Sequence, residues 1–312
     1  MKKTAFDIVE GLDLSGKVFL VTGAYSGLGA ETTKALLKAK GNVIIAGRNP
    51  QSQARFAEEL LHNPKLHIQK AQIDASKTLD LGELQSVKDF ANYVDGKYEA
   101  IDCLLNNAGI MSTPPGKTKD GFEIQMGTNV IGHFLLSKIL AAKTKRQVWL
   151  SSMGHSLTGT PPGDVHHMHR APRINLDRIK TVDDKTYDRW YRYQQSKLGN
   201  ILLAKQFPLA YPNMQACSIH PGVVRTKLGR HISLLTKLKY LFRGLTGKGS
   251  VLVSPEVGAS TQTLCATLPA QDLVNGAYYA NCQVAQEADS AKYMDDAKKL
   301  FDYCNEATKS YQ

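Results

Sequence analysis

The sequence predicts a doubly wound α/β fold in a single domain, built on a parallel sheet. Three observations carry that expectation. Short apolar runs alternate with longer segments of helical period through the first half of the chain. One such run, residues 17–22, is bracketed by Gly16 and Gly23 and passes through a glycine-rich turn into a helical pattern over 30–40. Another, residues 101–105, ends in Asn106-Asn107-Ala108-Gly109, placing side-chain amides and a glycine at a strand's carboxyl end, where sheets of this kind bind ligands. The length of 312 residues suits one large domain or two small ones, and the lack of an internal repeat or low-complexity linker favours one.

Residues 17–22 read as a buried parallel strand, continuous in apolar character rather than alternating. The turn that follows, Gly23-Ala24-Tyr25-Ser26-Gly27-Leu28-Gly29, opens a helix. Glycines let a backbone turn tightly and approach a pyrophosphate, and a helix N-terminus offers free N–H groups and the positive end of the dipole. Gly23, Tyr25, Ser26, Gly27, Leu28 and Gly29 are therefore candidate nucleotide contacts, although the spacing is G-x-x-x-G-x-G rather than G-x-G-x-x-G. Residues 42–46 form a second strand, ending in Gly47-Arg48-Asn49-Pro50. An NAD site places a carboxylate there for the ribose 2′-hydroxyl; Arg48, with Asn49 beside it, can instead pair with a 2′-phosphate, so NADP(H) is expected over NAD(H).

A helix over 52–61 leads to a third strand over 66–73, and Asp74 past its end is placed to accept from an adenine amino group. A helix over 82–94 precedes the fourth strand, 101–105, whose end adds Asn107, Ala108 and Gly109 to the candidate contacts. The long helix over 124–142 contains Asn129 and Gly132, poor helix formers that predict a local distortion or a close approach by the sheet. The fifth strand, 147–152, ends in Ser151-Ser152, and a serine there can donate a hydrogen bond to a substrate oxygen.

The helix over 191–204 brings Tyr193 and Lys197 to one face, one turn apart. An ammonium beside a phenol favours the phenolate, so a lowered tyrosine pKa is expected, suited to proton exchange with an alcohol or carbonyl. A sixth strand over 214–219 runs into His220-Pro221-Gly222-Val223-Val224-Arg225-Thr226. Residues 229–249 interleave Ile232, Leu234, Leu235, Leu238, Leu241, Phe242 and Leu245 with Lys237, Lys239, Arg243 and Lys248, the pattern of an amphipathic basic helix. It reads as a lid, at about 228–253, over an apolar substrate, or as a contact with an anionic membrane surface. A terminal helix is expected over 290–308.

Taken together, Thr22-Gly23-x-x-x-Gly27-x-Gly29, Asn106-Asn107-Ala108-Gly109 and Tyr193-x-x-x-Lys197, in that order, resemble the short-chain dehydrogenase/reductase family. The likeness runs from about Leu14 to about Thr308, leaving residues 1–14 as an extension before a domain over 15–312. The resemblance implies a Rossmann sheet and a catalytic set of Asn129, Ser152, Tyr193 and Lys197. Asn129 would hold a proton-relay water, Ser152 (with Ser151 as the alternative) would hold the substrate oxygen, and Tyr193 would exchange the proton. Lys197 would also bind the nicotinamide ribose, and Pro221, Gly222, Val223 and Thr226 would lie near the nicotinamide. Finer features resemble the retinol dehydrogenase group and the WW-domain oxidoreductase: Asp120-Gly121-Phe122-Glu123, Asn129-x-x-Gly132-His133-Phe134-Leu135-Leu136 and Gly276-Ala277-Tyr278-Tyr279-Ala280-Asn281-Cys282. These imply a bulky apolar alcohol or carbonyl substrate, and a homodimer or tetramer. The alternative is a non-catalytic nucleotide-binding regulatory or scaffold protein on the same fold.

Composition narrows the remaining classes. The net charge of +11 is spread over the chain, with no arginine-rich block or aromatic ladder, which argues against nucleic acid as a partner. No apolar run reaches membrane-span length and the basic start lacks an apolar h-region, so a cytoplasmic protein, with peripheral lipid contact at most, is expected. The five cysteines are widely spaced, as expected of reduced thiols. His166, His167 and His169 sit among prolines at spacings unlike a zinc site, so no metal is expected.

Overall fold

The computed structural model describes residues 2–157, 173–224 and 252–312. One sheet of eight strands runs in the order β3-β2-β1-β4-β5-β6-β7-β8, parallel throughout except for the last pair. The strands are β1 Val18–Thr22, β2 Asn42–Ala46, β3 Ile73–Asp74, β4 Cys103–Asn106, β5 Arg146–Leu150, β6 Gln215–His220, β7 Tyr278–Ala280 and β8 Gln283–Val284. The strand order reverses between β1 and β4, which opens the crevice that this architecture uses for ligands.

The apolar strands are continuous because both faces of the sheet are covered. Leu20, Ile44 and Leu104 point into one core, with Phe90, Phe134, Leu202 and Phe301. Their neighbours Phe19, Val21, Val43, Ile45, Cys103 and Leu105 point into the other, with Leu36, Leu37 and Phe56. The first core is closed by α4 Leu84–Lys97, α6 Gly132–Ile139, α7 Arg189–Ala210 and the C-terminal helix Met294–Ala307. The second is closed by α2 Gly27–Lys38, α3 Pro50–Leu61 and the helix Ser260–Thr267. No described helix is long and apolar enough to cross a membrane.

Ahead of β1, Ala5, Val9 and Leu14 pack into the second core. Thr4 and Asp7 form a reciprocal capping box, and the short helix α1 Ala5–Val9 buries Ala5 and Val9 in the second core. The third strand is much shorter than expected. Only Ile73–Asp74 pairs with β2, Lys70–Gln72 form a 3-10 turn, and His67 has a φ of 50°. Leu66 and Ile68 alternate with polar neighbours, but the pattern breaks at Gln69–Gln72, and the segment lacks a strand's partners until Ile73.

The long middle helix is interrupted where its poor formers predicted. After α5 Ile124–Met126, residues Gly127–Ile131 form a π turn before α6 begins. The close approach comes from a loop rather than the sheet: a Cβ on Gly132 would lie 2.3 Å from the Leu81 carbonyl oxygen. Gly132→Ala should therefore destabilise the protein by about 1–3 kcal/mol. Gly96→Ala, in α4 with nothing within 4 Å of the added methyl, should stabilise it by about 0.4–1 kcal/mol. Urea midpoints of the two variants should move in opposite directions; a shared direction would contradict this packing.

Candidate active site

The glycine turn between β1 and α2 forms a tight cradle. Gly23 and Gly27 have φ of 66° and 54°, a region that disfavours side chains. A Cβ on Gly29 would lie 2.3 Å from the Gly23 carbonyl oxygen and 2.6 Å from the Asn107 amide nitrogen. Ser26 caps α2 without a side-chain hydrogen bond, so its hydroxyl does not occupy the first N–H groups of the twelve-residue helix. The cradle and helix end fit a dinucleotide pyrophosphate. Leu28 lies on the rim, where its side chain and that of Val224 would both crowd a Cβ on Gly258.

At the end of β2, a Cβ on Gly47 would meet the Tyr25 ring at 2.1 Å, so the absence of a side chain there is what admits the aromatic. The Tyr25 hydroxyl accepts from the Asn49 backbone N–H at 3.3 Å, while the Asn49 side chain caps α3 by accepting from Ser52. Asn49 thus serves the turn through its side chain. Arg48 is exposed between these two and forms no ion pair among the described residues.

The role expected of Asp74 needs correction. Its carboxylate accepts from the hydroxyls of Tyr93 and Tyr98, from Lys97 Nζ and from the Ser76 N–H. Burial opposes its ionisation, but these donors prevail and hold the carboxyl down at about 2. Five contacts fill both oxygens, leaving no acceptor for an adenine amino group. The Asn106 and Asn107 amides are also turned inward. Asn106 donates to Ser137, and Asn107 donates to the Thr22 carbonyl at 2.6 Å and accepts from Gln262. Asn107 therefore fastens β4 to the glycine turn, while Ala108 and Gly109 remain partly exposed at the crevice. Thr22 Oγ1 accepts from the N–H groups of Asn107 and Ala108 and lies 2.9 Å from His133 Nε2.

Beside this cradle, α7, the exit of β5 and the π turn Gly127–Ile131 bring four of the predicted residues together. A Cβ on Gly154 would touch Ser152 Oγ at 3.5 Å and the Tyr193 ring at 3.6 Å, which places the hydroxyl and the ring side by side. Lys197 Nζ stands 5.6 Å from the Tyr193 ring centroid and donates to the Leu150 carbonyl at 2.8 Å. A Cβ on Gly109 would lie 3.3 Å from Asn129 Oδ1 and 3.5 Å from Lys197 Nζ. Asn129 is held by the backbone of Ile110 on both its amide atoms and by Ser196. Ser151, the alternative to Ser152, is buried and donates to the Lys197 carbonyl, turned away from Tyr193.

The expected lowering of the tyrosine pKa does not hold in this site. Burial pushes the Tyr193 phenol up to about 12, against a hydrogen bond with Ser152 that works the other way. Burial likewise pulls the Lys197 ammonium down to about 7. Desolvation disfavours the charged form of each group and dominates both.

Pro221, Gly222 and Val223 follow β6 at the same sheet edge, partly exposed, with Val223 accepting from the Val253 N–H. Thr226, most of the lid segment and the His166, His167 and His169 group lie outside the described residues. The described cysteines are all free thiols. Sequence reading missed His133, His155 and His220, all within or beside the site; each has a partner far away in the chain (Thr22, Ala288 and Met153), and only the Asn129-x-x-Gly132-His133 and His220-Pro221 strings pointed toward them.

A family model described as short chain dehydrogenase matches residues 17–149. Retinol dehydrogenase 11 of Homo sapiens is 32% identical, aligned over 93% of this chain and 85% of that protein. Retinol dehydrogenase 14 of Mus musculus is 33% identical with the same coverage of each. Among solved structures, an uncharacterised protein from Mycobacterium Paratuberculosis superposes with a TM-score of 0.73 at 28% identity, covering 99% of this chain and 98% of that one.

The buried histidines make stability depend on pH. Burial brings His133 down to about 3 and His220 to about 4 from the ordinary 6.5, and lowers His155. Below 6.5 the unfolded chain takes up protons that the folded state refuses, so stability falls as pH drops. Each imidazole kept neutral contributes about 1.4 kcal/mol of loss per pH unit across that window. The urea midpoint should be markedly lower at pH 4.5 than at pH 7.5; equal midpoints would show that these rings are not shielded.

Proposed function

Because this chain belongs to the short-chain dehydrogenase/reductase family, close to its retinol dehydrogenases, we propose that it is an NADP(H)-dependent oxidoreductase that interconverts an alcohol and a carbonyl. The observation that carries the reading is the meeting of Ser152, Tyr193 and Lys197 beside the glycine cradle. The cradle's close backbone approach and the α2 N-terminus fit a dinucleotide, and Arg48, exposed at the β2 end without a carboxylate neighbour, supports a 2′-phosphate. When bound, the nicotinamide supplies or accepts the hydride.

The chain's own residues handle the proton and the substrate oxygen. Ser152 holds that oxygen by hydrogen bonding, and the half-buried serine beside a buried phenol limits water at the reacting centre. A phenol at about 12 keeps its proton throughout the neutral range, ready for a carbonyl oxygen as it becomes an alkoxide. Lys197, tethered to Leu150, faces the phenol and orients the site. Asn129 holds the segment after Gly109 in place and supports a proton path toward Lys197.

The names of the relatives support a bulky apolar substrate: a retinoid, steroid or lipid aldehyde. The basic apolar segment 229–249 supports a lid over such a molecule, with a cytoplasmic protein touching lipid surfaces as the accompanying reading.

Purified protein with NADPH and a panel of such aldehydes should oxidise the cofactor, followed by absorbance at ~340 nm. Tyr193→Phe should lower turnover by about 10²–10⁴-fold while NADPH affinity stays within a few-fold; near-equal turnover would remove its acid role. NADPH binding without turnover of any carbonyl would favour the regulatory alternative. Arg48→Ala should weaken NADPH by about ten- to a hundred-fold, the worth of a charge-assisted hydrogen bond, and NADH far less. Equal losses by titration calorimetry would overturn the NADP(H) preference.

A further inference from the structure

The turn that carries Ser152 is held from two sides by two histidines. Ser152 lies just beyond β5, and Met153–Leu157 form a 3-10 turn. His155 Nδ1 lies 2.5 Å from the Ser152 carbonyl oxygen, and its Nε2 accepts from the Ala288 N–H at 3.1 Å. An Nε2 that accepts leaves the proton on Nδ1, so His155 is the Nδ1–H tautomer, donating to the serine's own peptide. On the other side His220 Nδ1 accepts from the Met153 N–H at 3.2 Å, which requires the opposite tautomer. The peptide bond between Ser152 and Met153 is thereby gripped at both polar atoms. The Gly154 N–H donates to Ser152 Oγ at 3.1 Å and fills one acceptor direction of the hydroxyl.

The far end of the His155 link is itself anchored. Ala288 follows Glu287, which pairs with Lys205 of α7, the helix that carries Tyr193 and Lys197. The His155 ring packs edge-on against Tyr278 at 5.0 Å and is 2% exposed. A closed path therefore runs from the serine turn through His155, Ala288, Glu287 and Lys205 to the helix bearing the phenol.

We propose that His155 and His220 are positioning residues for Ser152, holding its hydroxyl against Tyr193 through opposite, fixed imidazole tautomers. The inference rests on the reading of Ser152 as the group that holds the substrate oxygen. It acts on orientation: a serine displaced by about 1 Å costs on the order of 10²-fold in rate.

The test begins with nitrogen-15 NMR of the imidazoles in the full-length protein, which needs no turnover. His155 should show a protonated Nδ1 and bare Nε2, His220 the reverse. The same tautomer in both, or an imidazolium at neutral pH, overturns the proposal. Kinetics with NADPH and an aldehyde follow. His220→Ala should lower kcat by about 10²-fold with NADPH affinity unchanged, and His220→Asn, whose Oδ1 can stand in for Nδ1, should recover most of it. In a Ser152→Ala background, His220→Ala should cost almost nothing more. An undiminished loss in that background, or parallel loss of NADPH affinity, shows general damage and overturns the proposal. A wild-type protein that reduces no carbonyl sinks the functional reading instead, and the tautomers then decide the clamp by themselves.

Discussion

The Leu150 carbonyl at the end of β5 fastens the helix that carries the phenol to the sheet. It accepts from Lys197 Nζ at 2.8 Å and from Asn200 Nδ2 at 2.9 Å, using both lone pairs. Lys197 and Asn200 are three residues apart and so share a face of α7. One residue further along β5's exit, Ser151 donates back to the Lys197 carbonyl. Strand and helix are thus tied in both directions at the point where Ser152 leaves the strand. Removing both donors would leave the buried Leu150 carbonyl without a side-chain partner, a loss of about 1–3 kcal/mol. The geometry of the proposed site and the stability of the fold share these same bonds.

The π turn at Gly127–Ile131 belongs to the same constraint. It sets Asn129 where its amide grips both backbone polar atoms of Ile110 and reaches Ser196, whose hydroxyl donates to the Tyr193 carbonyl. The Asn129 carbonyl lies 3.1 Å from His133 Nδ1, and His133 Nε2 meets the Thr22 hydroxyl under the glycine turn. The distortion in one helix therefore connects the phenol's helix to the nucleotide cradle. A regular helix would carry the carbonyls past these partners, which explains why Gly and Asn sit where helix propensity disfavours them.

What could be read from the sequence was whatever depends on neighbours within a few residues. The continuous apolar runs of β1, β2 and β4 follow from burial on two faces, and Tyr193 and Lys197 share a face because a helix has 3.6 residues per turn. The Thr4-x-x-Asp7 box was equally local, and was simply not read as a helix start. Short strands such as Tyr278–Ala280 carry too few residues for a period to show. The fate of polar side chains was not legible, because it depends on distant competitors. Asp74 looked free until Tyr93, Lys97 and Tyr98 arrived from α4 and its exit. Asn107 looked aimed at a ligand, yet its nearest acceptor is the Thr22 carbonyl across the sheet.

The protonation states carry the same lesson into chemistry. Spacing put an ammonium beside a phenol, and Coulomb's law in isolation favours the ion pair. The fold adds what spacing omits, namely that both groups are sealed from water, with Tyr193 6% exposed and Lys197 2%. Desolvation disfavours either charge, so the phenol keeps its proton and the lysine holds its own weakly. Under the proposed function, a neutral acid beside an ammonium weakened by burial would answer a substrate that develops negative charge on oxygen. Charge appearing there would stabilise the lysine's proton at the same moment that it draws on the tyrosine's. Under the proposed function, the burial that penalises charge in the resting state would make proton release respond to the reacting oxygen rather than to solvent.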